Sequence, residues 1–240
     1  MNQKIELNTN PKALELELVR SWLIEERNHF NEGFYCNWGI IEKAFNNKEF
    51  ITLNHANYPI GFAVYSKSEL YVEIEILEVK RNFRRKGIGQ QFILKLESYF
   101  KSKGHVAFKL FCSPKESQGF WEKNGFVKFP RRGYTESDLT YFKPLVEIEK
   151  PTDSTNLTNK LELWNAEPYE IKNNAPQWTW KIDMTLNKLL KPIIHPCNNN
   201  WNLRWTKNAS IVREHKVKHF NKNTKPIHCG PFLIIYELFE

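Results

Sequence analysis

The stretch Arg84-Arg85-Lys86-Gly87-Ile88-Gly89-Gln90 decides how this chain is read. Before it runs Val72-Glu73-Ile74-Glu75-Ile76-Leu77-Glu78-Val79, an alternating segment that predicts a strand over 70–79. After it, apolar positions recur at helical spacing and predict a helix over 88–102, stopped by Gly104. A strand, a basic turn with two glycines and a helix start form a recipe for holding phosphates. The first N–H groups of a helix have no intrahelical partner, and the helix dipole places partial positive charge there. Gly87 and Gly89 remove the Cβ atoms that would keep an anion off the backbone, while Arg84, Arg85 and Lys86 add formal charge.

Two common phosphate sites are excluded by spacing. A P-loop needs Gly-x-x-x-x-Gly-Lys-Ser/Thr, and this turn has neither the length nor the terminal Lys-Ser/Thr pair. A dinucleotide fold needs Gly-x-Gly-x-x-Gly in a parallel βαβ unit, which is also missing. What is present is Arg-x-x-Gly-x-Gly, beginning five residues after Val79. Further along, Val106 to Cys112 reads as the next strand, and Phe120-Trp121-Glu122-Lys123-Asn124-Gly125-Phe126 closes a short helix over 115–124.

These two segments resemble the GNAT superfamily of acetyl-CoA-dependent N-acetyltransferases, whose pyrophosphate motif is Gln/Arg-x-x-Gly-x-Gly/Ala and whose later signature is Phe-Tyr-Glu-Lys-x-Gly-Phe. The resemblance covers residues 10–145 and leaves the rest unaddressed. It implies an α+β, three-layer fold with a central mixed, mostly antiparallel sheet flanked by helices, and acetyl-CoA as cofactor. It implies that Arg84, Arg85, Lys86, Gly87, Ile88, Gly89 and Gln90 hold the pyrophosphate. It also implies that pantetheine pairs with the exposed backbone at Leu77 and Val79, with the Val79 N–H polarising the thioester carbonyl. Trp121 stands where relatives carry a tyrosine that protonates the leaving thiolate, and an indole N–H is too weak an acid for that task. The alternatives are unassisted departure of the thiolate, a proton from water, or Tyr134 or Tyr141 as the acid. Pro114 stands where relatives carry asparagine, which leaves Ser113 and Ser117 to contact the cofactor.

Acetylation also needs a base, because an alkylammonium has an unperturbed pKa near 10. Strict alternation would put Val72, Ile74 and Ile76 on one face of the strand, and Glu73, Glu75, Leu77 and Val79 on the other. Family members place a base at either glutamate position, so Glu75 is the first candidate and Glu73 the second, against the plainer reading of lysine-paired surface glutamates. Glu78 falls on the opposite face and is a poor candidate. Cys112 reads as a buried strand residue, because direct transfer needs no acyl-enzyme.

The outline of the first 145 residues follows the same logic. Residues 13–28 carry apolar positions at helical spacing, with Asn8-Thr9-Asn10-Pro11 as a capping start. A second helix is expected over 38–45, strands over 50–53 and 60–65 turned by Asn57-Tyr58-Pro59, and further strands over 126–129 and 140–145. Residues 1–145 form the expected acetyltransferase domain and 146–240 a basic, Trp-rich extension or small domain of unassigned fold, entered through the linker-like Lys150 to Asn156. Short strands are expected there at 177–183, 201–206 and 232–238, with a helix near 208–219.

The formal net charge of +8 is unevenly spread. Residues 1–79 hold seven Lys and Arg against twelve Asp and Glu; residues 80–103 hold eight against one; residues 172–225 hold eleven against two. Coenzyme A phosphates account for the first basic segment. The second, with Trp178, Trp180, Trp201 and Trp205, is open to two readings: base stacking and phosphate attraction toward tRNA or another acidic macromolecule, or a solvated face over a tryptophan core. His195, Cys197, His215, His219, His228 and Cys229 fall within 35 residues. His215 and His219, sharing a face if that segment is helical, could form a tetrahedral zinc set with Cys197 and Cys229, but no Cys-x-x-Cys pair supports it, and no metal is assigned. No apolar run approaches the ~20 residues of a membrane span, no signal-like start is present, and the four cysteines are irregularly spaced, so a cytoplasmic protein without disulfides is expected. Homo-oligomerisation stays open. The functional expectation is acetyl transfer to a primary amine by direct attack, on a small amine, a protein amine or an aminoacyl-tRNA. The alternative is an acyl-CoA-binding regulatory module without catalysis.

Overall fold

The computed structural model describes residues 4–131, 138–154, 156–171, 174–222 and 228–239. They divide into two compact units, one of residues up to Val127 with Tyr141–Leu145, the other of Lys128–Thr140 with the residues from Val146 onward.

The first unit is built on β1 (Ile5–Asn8), α1 (Ala13–Phe30), α2 (Trp38–Asn46), β2 (Phe50–His55), β3 (Tyr58–Lys67), β4 (Tyr71–Val79), α3 (Ile88–Ser102), β5 (Ala107–Phe111), α4 (Gln118–Lys123), β6 (Val127–Lys128) and β7 (Thr140–Pro144). The strands form one sheet in the order β1-β2-β3-β4-β5-β7-β6. β1 to β4 pair antiparallel, and β4 pairs parallel with β5 across the α3 connection. This is the α+β mixed-sheet fold expected from the sequence. The four-residue β1 was not anticipated, being too short for its alternation to register. The β2–β3 turn is Ala56-Asn57, both at positive φ, instead of the expected Asn57-Tyr58-Pro59, because a two-residue hairpin needs the primed geometry that matches strand twist.

α1 and α2 cover one face. Leu16, Val19, Trp22 and Leu23 of α1 and Ile41 and Ala44 of α2 bury against Phe50, Phe62, Val64 and Ile76. α1 starts at Ala13 with Lys12 at the cap, and the Glu15 carboxylate accepts the Lys12 N–H at 2.9 Å. α3 buries Ile88, Phe92, Ile93, Leu96 and Phe100 on the opposite face, where Phe100 meets Tyr65 and Phe108. The segment expected as one helix over 115–124 is a 3-10 turn at Lys115–Ser117 followed by α4.

The second unit is all β. Strands β8 (Lys160–Trp164), β9 (Trp178–Lys181), β10 (Met184–Thr185), β11 (Lys188–Pro196), β12 (Asn202–Lys207), β13 (Ser210–Lys216), β14 (His228–Cys229) and β15 (Phe232–Glu237) form two antiparallel four-stranded sheets, β10-β11-β15-β14 and β13-β12-β8-β9. One core joins them through Leu161, Leu163, Trp180, Leu203 and Trp205 from one sheet and Ile193, Leu233 and Ile235 from the other. The helix expected near 208–219 is instead β13 followed by a 3-10 turn at Val217–Lys222. Asn208-Ala209, both at positive φ, turn the chain into a hairpin with β12, and that pairing overrides local helical spacing.

The tryptophans of this unit build its interior. Trp180, Trp201 and Trp205 are buried, and Trp178 packs against that core with its ring stacked on Trp201 at 5.4 Å. They are therefore not a base-stacking platform. Several cations here are paired: Arg204 with Glu214, Lys216 with Glu167, Lys181 with Asp183 and Lys191 with Glu147. His195 lies against Trp178 and Trp180, and burial pushes its pKa down to about 3. His215 sits on strand β13, so the helical face that would have joined it to His219 is not formed, and among the described residues no His/Cys/Asp/Glu group is arranged to hold a metal ion. Among the described residues no helix is long and apolar enough to cross a membrane.

Candidate active site

The site begins where two strands part. β4 and β5 run side by side from Tyr71–Ala107 to Ile74–Leu110, and the ladder ends there. Beyond it, Glu75 to Val79 continue β4 without β5 beside them. The orientation of their backbone follows from one bond: Lys80 N–H donates to the Ile60 carbonyl at 2.8 Å. Partner pairs in an antiparallel ladder alternate between exchanging hydrogen bonds and not doing so. Gly61–Val79 and Ala63–Leu77 are therefore the non-bonded pairs, and the Leu77 and Val79 amides point away from β3 into the opening. Gly61 is required opposite Val79, since a Cβ there would come within 2.8 Å of the Glu78 carbonyl.

Strict alternation along β4 fails at Glu75. Val64 pairs with Ile76 but Tyr65 pairs with Ile74, so Glu75 is the extra residue of a bulge. The bulge reverses the faces. Ile76 packs with Phe62 and Val64 under α1 and α2, whereas Ile74 pairs with Tyr65, which meets Phe100 of α3. Glu73 and Val79 consequently lie on opposite faces, not together as alternation predicts. Glu73 is tied to Lys109 at 2.6 Å. Glu75 is exposed and lines a narrow groove with Leu77, Ser113, Ser117 and Trp121.

A wider cleft of about 800 Å³ adjoins this groove. Leu77, Glu78, Val79, Arg84, Arg85 and Gly89 line one side, and Asn31 to Phe34, Cys36 and Asn37 line the other. Arg85 (φ 61°) and Gly87 (φ 75°) both take left-handed backbone, and the turn passes directly into α3 at Ile88. Alternation of this kind turns successive N–H groups to one side, the geometry of an anion-binding nest. No atom lies within 4 Å of a Cβ built on Gly87, while one on Gly89 would come 3.0 Å from Phe120. The open edge of β4, the nest and the first turn of α3 thus suit an extended amide chain ending in a pyrophosphate. Ile88 is buried and Gln90 exposed.

The charges are arranged differently from the sequence expectation. Arg84 is committed to protein partners: Nε donates to the Val79 carbonyl at 2.7 Å, Nη1 to Glu32 at 2.9 Å, and Nη2 to Glu26 at 2.5 Å and Glu78 at 3.0 Å. Lys86 donates to the Asn82 carbonyl at 2.8 Å. Arg85 is exposed and forms no ion pair among the described residues, so it is the turn's available cation. The Glu26 carboxylate also accepts the Arg81 N–H, and Arg81 donates to Glu32. Arg81 and Arg84 hold Glu32 below the usual carboxylate range. Glu78 is pushed up to about 7, chiefly by burial, with Arg84 opposing and Glu26 and Glu32 adding to the shift. Composition gave no sign of this cluster. It assembles from residues as far apart as 26 and 84, which no local pattern in the sequence joins.

Among the residues weighed as proton donors, Tyr141 is buried with its hydroxyl 2.9 Å from Gln118 and 3.0 Å from Glu122, and burial helps push its pKa up to about 12. Tyr134 lies outside the described residues. Ser117 donates to the Pro114 carbonyl at 2.8 Å, and its hydroxyl is 3.1 Å from the buried Cys112 thiol. Trp121 is buried, edge-on to Phe120 and Phe126.

Comparison with known proteins identifies the family of this domain. Residues 13–126 match the model of the acetyltransferase (GNAT) family. The chain is similar to a GNAT-family acetyltransferase of Staphylococcus aureus (16% identity, TM-score 0.48), covering 60% of this chain and 100% of that one. It is also similar to the PaiA N-acetyltransferase of Thermoplasma acidophilum in complex with coenzyme A (22%, TM-score 0.46), covering 59% and 99%, and to Tetrahymena GCN5 (15%, TM-score 0.46), covering 60% and 96%. No curated protein sequence matches the chain. Residues 13–126 thus form a GNAT acetyltransferase domain, of the family that uses acetyl-CoA.

Proposed function

We propose that this protein transfers acetyl from acetyl-CoA to a primary amine by direct attack in the cleft beside Val79. The observation that carries the reading is the free edge of β4 beyond the Ile74–Leu110 rung, followed after a 3-10 turn at Arg81–Phe83 by the left-handed residues Arg85 and Gly87 and the first turn of α3. Acetyl-CoA supplies an activated acyl group as a thioester. The chain's part is to seat it and bring an amine to it. Leu77 and Val79 offer backbone groups to an added extended chain, as an exposed sheet edge does. The amides at the start of α3 and the Arg85 side chain receive pyrophosphate charge. The Val79 N–H is a fixed donor for the acyl oxygen, a contribution typically worth a few kcal/mol of barrier. Ser113, Ser117 and Trp121 wall the groove on the far side. The amine enters from the Gly33–Phe34 side, where Glu32 and Glu78 favour a cation.

A thiol-release assay with acetyl-CoA and primary amines of differing size and charge tests this. The expected result is amine-dependent release with matching acetamide product by mass spectrometry. Tight acetyl-CoA binding without transfer to any amine would instead favour a non-catalytic acyl-CoA sensor.

A further inference from the structure

We propose that Glu78 is the group that takes the proton from the acceptor amine, and that Arg84, Glu26 and Glu32 are positioning residues that hold its carboxylate at the cleft. The inference rests on the acetyltransferase reading and adds the residue that makes the amine nucleophilic. Three observations select Glu78 over the other strand carboxylates. Glu73 is committed to Lys109, and Glu75 lines the narrow groove but is not among the residues that line the wide cleft. Glu78 lines the wide cleft and is the immediate neighbour of Val79, whose amide points into the opening. Its oxygens each have one donor, Arg84 Nη2 at 3.0 Å and the Phe34 N–H at 3.2 Å, which leaves each oxygen a further lone pair.

The charges around it come from every neighbouring element. Glu26 stands on α1, Glu32 and the Cys36 thiol on the segment after α1, and Arg81, Arg84 and Arg85 on the segment after β4. Glu26, Glu32 and Glu78 share the two guanidiniums of Arg81 and Arg84, so one carboxylate of the three is in formal excess. The carboxylate least able to stay charged is a buried one, and burial raises Glu78 to about 7, where a base serves best near neutral pH.

The step balances simply. A Glu78 oxygen accepts a proton from the ammonium, and the freed nitrogen lone pair forms the N–C bond as the C–S bond breaks. The second nitrogen proton is lost as the amide forms and ends on the thiolate through solvent, and Glu78 returns its proton to water.

The test uses the full chain and the variants Glu78→Gln and Glu78→Asp, with acetyl-CoA and benzylamine, putrescine and a lysine-bearing peptide as acceptors. Independent of activity, carbon-13 NMR of the glutamate carboxyls should show one titrating near pH 7 in the free wild type and absent in Glu78→Gln. Turnover should fall by about 10²-fold or more in Glu78→Gln, with partial recovery in Glu78→Asp and loss of the rate limb near pH 7. Acetyl-CoA affinity should stay within about twofold, a shift under 0.5 kcal/mol. Wild-type turnover in Glu78→Gln, or a Glu78 carboxyl titrating near its ordinary value, would overturn the proposal. So would a joint loss of turnover and acetyl-CoA binding, which would make Glu78 structural. Absence of turnover in the wild type with acetyl-CoA bound would instead overturn the acetyltransferase reading, and the catalytic role of Glu78 with it.

Discussion

Arg84 Nε donates to the Val79 carbonyl at 2.7 Å, so the first residue of the basic turn grips the last residue of β4. The same guanidinium gathers Glu26 and Glu78, both nearly inaccessible to solvent. Removing it strands two buried carboxylates and releases the end of the strand. Arg84→Ala should cost on the order of 2–4 kcal/mol of stability at pH 8, and less at pH 5, where Glu78 binds a proton. Denaturant unfolding at the two pH values checks this. An equal and small loss at both would contradict the role assigned to Arg84.

Glu78 gives a pH signature of its own. Its folded pKa lies near 7, above the ordinary 4.5, so the folded state keeps this proton to a higher pH than the unfolded chain does. The associated stability is fully present below about pH 4.5 and is lost as pH rises through 7, by about 3 kcal/mol at most. Glu78→Gln should therefore flatten the fall in melting temperature between pH 5 and pH 8. Parallel curves for wild type and variant would count against a raised Glu78.

Neither Arg85 nor Lys86 forms an ion pair among the described residues, but Lys86 donates to the Asn82 carbonyl at 2.8 Å, which leaves Arg85 as the turn's available cation. Arg85→Asn retains a residue tolerant of the left-handed backbone (φ 61° here) while removing the charge. Acetyl-CoA affinity should drop roughly tenfold, with a shallower dependence on added salt than the wild type. Calorimetric titration at two ionic strengths measures both. Unchanged affinity would show that the backbone alone holds the phosphates.

Much of this was legible in the sequence, and the misses have physical causes. The turn, the α3 start and the Phe120 to Phe126 segment are local, so residue types at fixed spacing disclosed them. The longer strands followed from clear alternation, and their mixed pairing was implied by the family resemblance that those local segments carry. The faces of β4 were misread because a bulge at Glu75 depends on how β3 pairs, and no residue in β4 announces it. Arg84 read as a phosphate ligand because its partners Glu26 and Glu32 are more than fifty residues away in sequence. In the second unit, β13 has a helix-like local pattern, but its strand state is decided by pairing with β12.

The tryptophans of the second unit are assigned to its core, and that assignment is measurable. Trp180 is 1% exposed, and Trp180→Ala should cost about 3–5 kcal/mol in urea unfolding of the full chain. A loss below about 1 kcal/mol would be inconsistent with close packing there.

The central claim is that acetyl-CoA lies along the open edge of β4 and on the first turn of α3. Hydrogen–deuterium exchange of the full chain, with and without acetyl-CoA, tests it most directly at the amides of Leu77, Val79 and residues 87–90. The account predicts slower exchange at these positions on addition of acetyl-CoA, while the edge strand β13 stays unchanged. Unaltered exchange at Val79 and residues 87–90 under saturating acetyl-CoA would contradict it.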